Sequence, residues 1–101
     1  MRCPWHNGLM AVSRAERRRD WEQRVIADFG ETGASVALDL LQLTELAWHD
    51  SYGEVTPSEG VIDDILLLSG GSLEKLIEAA LLAVTDWRDL RVAADRLRDR
   101  T

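Results

Sequence analysis

Residues 33–50 read GASVALDLLQLTELAWHD, and this stretch decides the fold class. Its polar side chains recur at helical spacing and form one narrow stripe, whereas almost every other position is apolar. The stripe consists of Ser35, Asp39, Gln42, Glu45 and His49. A helix that is apolar on most of its circumference is typical of a buried element. We therefore predict that 33–50 forms the central and most buried helix of a helical protein.

A second helix is predicted immediately before this stretch, over 13–29. Ser13 and Glu16 form a capping box, in which the serine hydroxyl accepts a hydrogen bond from a first-turn amide. The buried stripe of this helix recurs every four residues and consists of Trp21, Val25 and Phe29. Gly30 follows, and glycine favours the left-handed conformation that ends many helices. The two helices are thus predicted to be separated at Gly30.

A third helix is predicted over 57–68. The segment Thr56-Pro57-Ser58-Glu59 resembles a capping box with proline at the first helical position, where its missing amide hydrogen costs nothing. The positions expected to face the core are Val61, Ile62, Ile65, Leu66 and Leu68. Asp63 and Asp64 are expected to face water. After a Ser-Gly-Gly break, Ser72 is predicted to cap the next helix.

The last stretch, residues 73–101, contains neither glycine nor proline, and its apolar positions follow heptad spacing. They are Leu73, Leu76, Ala80, Ala83, Trp87, Leu90, Ala94 and Leu97. One interpretation is a single helix of ~42 Å, whose end extends past the other helices and is available to another chain. The other is a kink at Thr85 and Asp86, two good N-cap residues, which folds the last helix back onto the core. We favour the kink.

These elements together predict an all-α protein, a compact single-domain bundle of four or five helices over 13–101. Residues 1–12 show no periodicity and are predicted to be a flexible N-terminal segment. Translation begins either at Met1 or at Met10, which stands just before the first helix.

Composition limits the cellular setting. The only cysteine is Cys3, so no disulfide within the chain is possible. Apolar runs are far shorter than the ~20 residues that span a bilayer, and no signal-like stretch follows Arg2. We therefore expect a cytoplasmic protein without a membrane partner.

Charge is distributed unevenly along the chain. The net charge is −6, yet residues 25–87 hold twelve acidic residues and a single basic one, Lys75. Both ends of the chain are rich in arginine. Arginines at the ends are therefore expected to pair with acids of the middle, in the same chain or in a second copy.

The end of the central helix concentrates reactive side-chain types, including His49, Asp50 and Tyr52. We predict that these three residues contribute to a protein-binding site. An alternative is a metal or small-molecule site formed by Glu45, His49 and Asp63, because Glu45 lies one helical turn before His49. Cys3 and His6 would supply half of a zinc motif, without the other half.

The arginine cluster at the start of the first helix suggests a second alternative. Arg14, Arg17, Arg18 and Arg19 would contact phosphates in a nucleic-acid-associated regulator. The overall acidity of the chain argues against this alternative, because nucleic-acid-binding domains are usually basic. We therefore expect no nucleic acid partner.

The chain carries no nucleophile motif, phosphate-binding loop or dinucleotide fingerprint. We predict that it is not an enzyme, needs no cofactor or metal, and acts as a small helical interaction or regulatory module. Its partner would be another protein or its own copy. On the last helix, the candidate interaction residues are Trp87, Leu90 and Arg91, where Trp87 is the leading candidate because tryptophan is enriched at binding hot spots.

Overall fold

The computed structural model describes residues 13–100. Within this range the chain forms three helices and no strand: α1, Arg14–Tyr52; α2, Glu59–Ser69; and α3, Leu73–Asp99. The all-α fold class is therefore confirmed. The predicted number of four or five helices is wrong, because two predicted breaks are bends of a single residue inside a longer helix. The predicted flexible segment 1–12, with Cys3, His6 and Met10, lies outside the described residues.

The first bend lies at Gly30 and divides α1 into an N-terminal arm, 14–29, and a C-terminal arm, 31–52. Gly30 has φ 75° and ψ 167°, a backbone conformation that is essentially restricted to glycine. Arg17 on the first arm donates to Glu45 on the second, with Nε and Oε2 2.5 Å apart. A contact across 28 residues of one helix requires that the two arms lie side by side. The helix α1 is therefore a helical hairpin with a one-residue turn.

The second bend lies at Asp86 in α3. Asp86 has φ −157° and ψ 89°, and its Oδ1 accepts hydrogen bonds from the amides of Arg88 and Asp89 at 3.1 and 3.3 Å. It therefore acts as the N-cap of the segment 87–99. This segment returns to α2, where Arg91 reaches the carboxylate of Asp64. The kinked alternative for the last stretch is confirmed, and the single straight helix is excluded.

One hydrophobic core joins all five straight segments. Each segment contributes a fully buried aliphatic side chain, and these are Val25, Leu41, Ile65, Leu76 and Leu90. Burying a side chain of this size contributes about 1.5–3 kcal/mol to the free energy of unfolding. The helix α3 packs against both α1 and α2 and so connects the bundle.

Two of the three helices begin at the predicted N-cap residue, and α2 does not. Ser13 accepts from the amide of Glu16, and Ser72 caps α3 as predicted. At α2, Ser58 is the cap instead of Thr56, and its hydroxyl accepts from the third helical amide. Thr56 instead donates its hydroxyl hydrogen to Glu45 Oε2, at 2.5 Å. The helix α2 consequently begins two residues later than predicted.

Candidate functional site

The predicted interaction residues Tyr52 and Trp87 lie beside the same small cleft, although they are distant in sequence. The cleft has a volume of about 280 Å³, and Trp48 and Glu54 also line it. The indole of Trp48 donates to Glu54 Oε1 at 3.1 Å, and its ring centroid lies 4.4 Å from that of Tyr52. The Tyr52 hydroxyl donates to the carbonyl of Ala83 at 3.1 Å. These hydrogen bonds fix the walls of the cleft and occupy its polar groups.

His49 and Asp50 are exposed near the end of α1 and do not line this cleft. His49 Nδ1 lies 3.3 Å from the carbonyl oxygen of Glu54, which follows the C-terminal cap of α1. The histidine therefore contacts the chain that leaves the helix. The structure places it next to the Tyr52 and Trp87 cleft but not inside it.

Leu90 and Arg91, the other two candidates on α3, stabilise the fold. Leu90 is fully buried and has no surface to offer a partner. Arg91 Nε donates to Asp64 Oδ2 at 2.6 Å, and Arg98 donates to the other oxygen of Asp64 at 2.7 Å. These hydrogen bonds raise the pKa of both arginines above its usual range. The expectation that Asp64 faces water is wrong, because its carboxylate is buried between these two guanidinium groups.

Two arginines of the proposed phosphate-binding cluster are paired within α1. Arg17 is bonded to Glu45, and Arg18 donates to Asp39 at 2.7 Å and to the side-chain oxygen of Gln42. The expectation that arginines at the end of the chain pair with internal acids is confirmed for these two. Arg14 and Arg19, the remaining members, are exposed.

The three members of the alternative metal or small-molecule site do not converge. Glu45 is buried, and its Oε2 accepts from two side chains, whereas its Oε1 has no hydrogen-bond partner among the described residues. His49 is exposed at the end of the helix, and Asp63 accepts from Arg24 at 2.6 Å. Between residues 13 and 100, no group of three or more His, Cys, Asp or Glu side chains is arranged to hold a metal ion.

A groove of about 500 Å³ separates the N-terminal arm of α1 from the start of α2. Trp21, Ile62 and Leu66 supply its apolar lining, and five charged residues of both signs surround them. Arg24 and Asp63, which lie on opposite sides, are bonded to each other. Because its charges are mixed and partly paired, the groove does not favour a ligand of either sign.

The most distinctive surface is apolar and lies where the C-terminal arm of α1 meets α3. We call it the apolar face, and it comprises Val36, Leu40, Leu43, Ala47, Ile77, Ala80, Leu81 and Val84. All but Val36 line a shallow groove of about 230 Å³, and Val36 continues their stripe one helical turn earlier. The exposed fractions of its larger side chains are 49% for Val36, 60% for Leu43, 52% for Ile77 and 64% for Leu81.

Among the described residues, no free polar side chain lines the groove of the apolar face. Thr44 is the one polar residue in the lining, and its hydroxyl donates to the carbonyl of Leu40 at 2.7 Å. The groove therefore favours apolar contacts over hydrogen bonds or ionic contacts. Apolar patches on soluble domains commonly mark binding sites when several large side chains are contiguous.

The apolar face corrects the prediction for 33–50. This stretch buries one side, including Leu38, Leu41 and Trp48, but exposes Val36 and Leu43 on another. The sequence signal was present, because the stretch is apolar almost all round. A chain of 101 residues has too few other helices to cover every side of one helix. The apolar excess thus indicates an open surface as well as a core.

Acidic residues border the apolar face on both helices. Asp39 and Asp50 lie on α1, and Glu74 and Glu78 lie on α3, each within one helical turn of a face residue. Asp39 is paired with Arg18, whereas the other three have no ion-pair partner between residues 13 and 100. We call these four residues the acidic rim. An apolar surface with an acidic border results.

Comparisons with protein-family models, with curated proteins and with solved structures find no match to this chain. Among the described helices, none is both long enough and apolar enough to cross a membrane. The apolar face is therefore the feature of this chain that bears most directly on its function.

Proposed function

We propose that this protein is a non-catalytic interaction module that binds another protein through the apolar face. The observation that carries the proposal is the contiguous exposure of Val36, Leu43, Ile77 and Leu81 along two packed helices. Other exposed apolar side chains, such as Val55 and Val92, do not line this groove. A partner would cover this surface.

Covering the face supplies part of the free energy that specific binding requires. Each of the four larger side chains has roughly half of its surface in water. Complete burial of such a side chain is worth about 1.5–3 kcal/mol, so removing the exposed half contributes about 1 kcal/mol for each. The total of about 4 kcal/mol must be supplemented by rim contacts to offset the loss of rotational and translational freedom.

The arrangement of the reactive side chains supports a non-catalytic role. The Tyr52 hydroxyl and the Glu45 Oε2 atom take part in hydrogen bonds that connect helices or loops. Trp87 is partly exposed beside its cleft and is close enough to α1 to extend an interface towards Tyr52. Tyr52 and Trp87 are thus proposed contributors to the binding site, whereas Leu90 and Arg91 stabilise the fold.

A charge-insertion pair of variants tests the proposal. Leu81→Glu places a carboxylate in the apolar face, whereas Val55→Glu places the same group on a loop residue that is 67% exposed outside the face. Both variants should keep the helical circular dichroism spectrum of the wild type. Tagged wild type, L81E and V55E are used to capture proteins from a lysate of the source organism, and mass spectrometry identifies those whose recovery depends on the face.

The captured candidate is then produced in pure form, and its binding to the three proteins is measured by calorimetry. We expect wild type and V55E to bind equally and L81E to bind at least about tenfold more weakly, because an unpaired charge must be desolvated in the interface. A purified partner that binds all three proteins equally would overturn the proposal. So would the absence of any protein whose capture depends on Leu81.

A further inference from the structure

The shape of the apolar face selects the secondary structure of its occupant. The α1 stripe from Val36 to Ala47 is ~17 Å long at 1.5 Å per residue, and Ile77 to Val84 of α3 runs beside it. Both borders of the groove are helices whose backbone groups are bonded within the helices. No strand exists between residues 13 and 100 for an extended peptide to pair with. A groove between two helices fits an amphipathic helix that inserts an apolar stripe.

The acidic rim selects the charge of that occupant. Asp50, Glu74 and Glu78 form no ion pair with another residue of the described range 13–100, so a partner can pair with their charges. The C-terminal arm of α1 has no lysine or arginine, and Lys75 is the only base between residues 73 and 85. Lysine or arginine beside the apolar stripe of the occupant would lie opposite the rim and speed association.

We infer that the apolar face binds a basic amphipathic helix of a different protein, with an apolar stripe of about three turns flanked by lysine or arginine. The inference rests on the proposed function and specifies its partner. A second copy of this chain fits less well, because the same face on both copies would bring two acidic rims together. An anionic membrane surface fits less well for the same electrostatic reason.

Two synthetic helical peptides of about 15 residues test this inference, a length of ~22 Å that covers the groove. Both carry leucine at positions spaced as in the stripe, and they differ only in their flanks, which are lysine in one and glutamate in the other. A third peptide has the composition of the lysine peptide in scrambled order, without a stripe. Fluorescence anisotropy measures the binding of each labelled peptide to the full chain at low and high salt.

The variants separate apolar docking from general electrostatic attraction. Leu81→Glu and Val55→Glu each add one negative charge, so both would strengthen unspecific binding of a basic peptide. We expect the lysine peptide to bind wild type and V55E, to bind L81E at least about tenfold more weakly, and to bind more weakly at high salt. We expect the glutamate and scrambled peptides to bind wild type at least about tenfold more weakly than the lysine peptide does.

The possible contrary results have different meanings. Equal binding of lysine and glutamate peptides, both lost in L81E, would overturn the inference about charge and leave the proposed function intact. If sedimentation velocity showed that the wild type self-associates and that L81E does not, the partner of the apolar face would be a second copy of this chain and not a different protein. If the wild type bound phosphatidylserine vesicles and L81E did not, the partner of the apolar face would be a membrane surface. If every peptide bound L81E and V55E equally, the inference would be overturned. If, in addition, no protein captured from the lysate depended on Leu81, the proposed function would be overturned as well.

Discussion

Replacing Leu81 by alanine is expected to change the free energy of unfolding far less than the same replacement at Leu76, although both leucines belong to α3. Leu81 is 64% exposed, so only about a third of its surface is removed from water on folding. The expected cost of L81A is therefore below about 1 kcal/mol. Leu76 is fully buried in the core, where a Leu→Ala change costs about 2–5 kcal/mol through lost burial and a residual cavity.

Urea unfolding followed by circular dichroism measures both values, and equal slopes in the two variants would show that the same surface is exposed on unfolding. Because both substitutions are Leu→Ala inside one helix, the difference in helix propensity cancels. A loss of more than about 2 kcal/mol in L81A would refute the reasoning, since it would mean that Leu81 is covered. Repeating the experiment at several protein concentrations distinguishes covering by a second copy from covering within the monomer.

Three further predictions concern the turn between α2 and α3, the bend of α3 and the contact between α1 and α3. In thermal unfolding, Gly71→Ala should destabilise the protein more than Gly70→Ala. Both residues have positive φ, so alanine is strained at either position. A Cβ at Gly71 would in addition lie 2.5 Å from the carbonyl oxygen of Asp28, whereas Gly70 faces open space. We expect about 1–2 kcal/mol for G70A and a larger loss for G71A; equal losses would contradict the close approach. Asp86→Ala should lower the free energy of unfolding by about 0.5–2 kcal/mol because it removes the helix cap, whereas D86N should keep most of the capping stabilisation. Equal melting temperatures of D86A and D86N would exclude a capping role. Tyr52→Phe should cost about 1 kcal/mol in urea unfolding through the lost hydrogen bond to α3, and no loss would show that the bond contributes nothing net.

Features that depend on neighbouring residues were predictable from the sequence. Ser13 and Ser72 cap helices as expected, because a serine cap acts on amides three residues away. The breaks at Gly30 and Asp86 were likewise predictable, because each depends on the conformational preference of the residue itself or on its nearest neighbours. What the pattern did not reveal is that helices continue directly on both sides of these breaks, so that the number of helices was overestimated.

Features that depend on distant residues were not predictable. Thr56 and Ser58 are both suitable caps, and the choice between them follows from a hydrogen bond of Thr56 to Glu45, eleven residues earlier. Asp64 is buried because Arg91 and Arg98 reach it from 27 and 34 residues away. Helical periodicity carries no information about such partners.

The candidate site was predicted in part. Tyr52 and Trp87 do lie beside one cleft, but no sequence pattern predicted that they would meet. The apolar face was missed because an apolar helix was taken to be covered on all sides. Hydrophobic patterning identifies which side chains are apolar, whereas the number and length of the other helices determine which of these side chains are buried.

The one-residue turn at Gly30 has a consequence for the order in which the chain assembles during synthesis. The ion pairs of Arg17 and Arg18 join residues only 28 and 21 positions apart, and the turn leaves almost no loop whose closure costs entropy. The α1 hairpin is therefore expected to form before α2 and α3 have left the ribosome. Until α3 arrives, the side of the hairpin that carries Leu41 is exposed to water or to a chaperone, so the nascent chain exposes its future core as well as its apolar face.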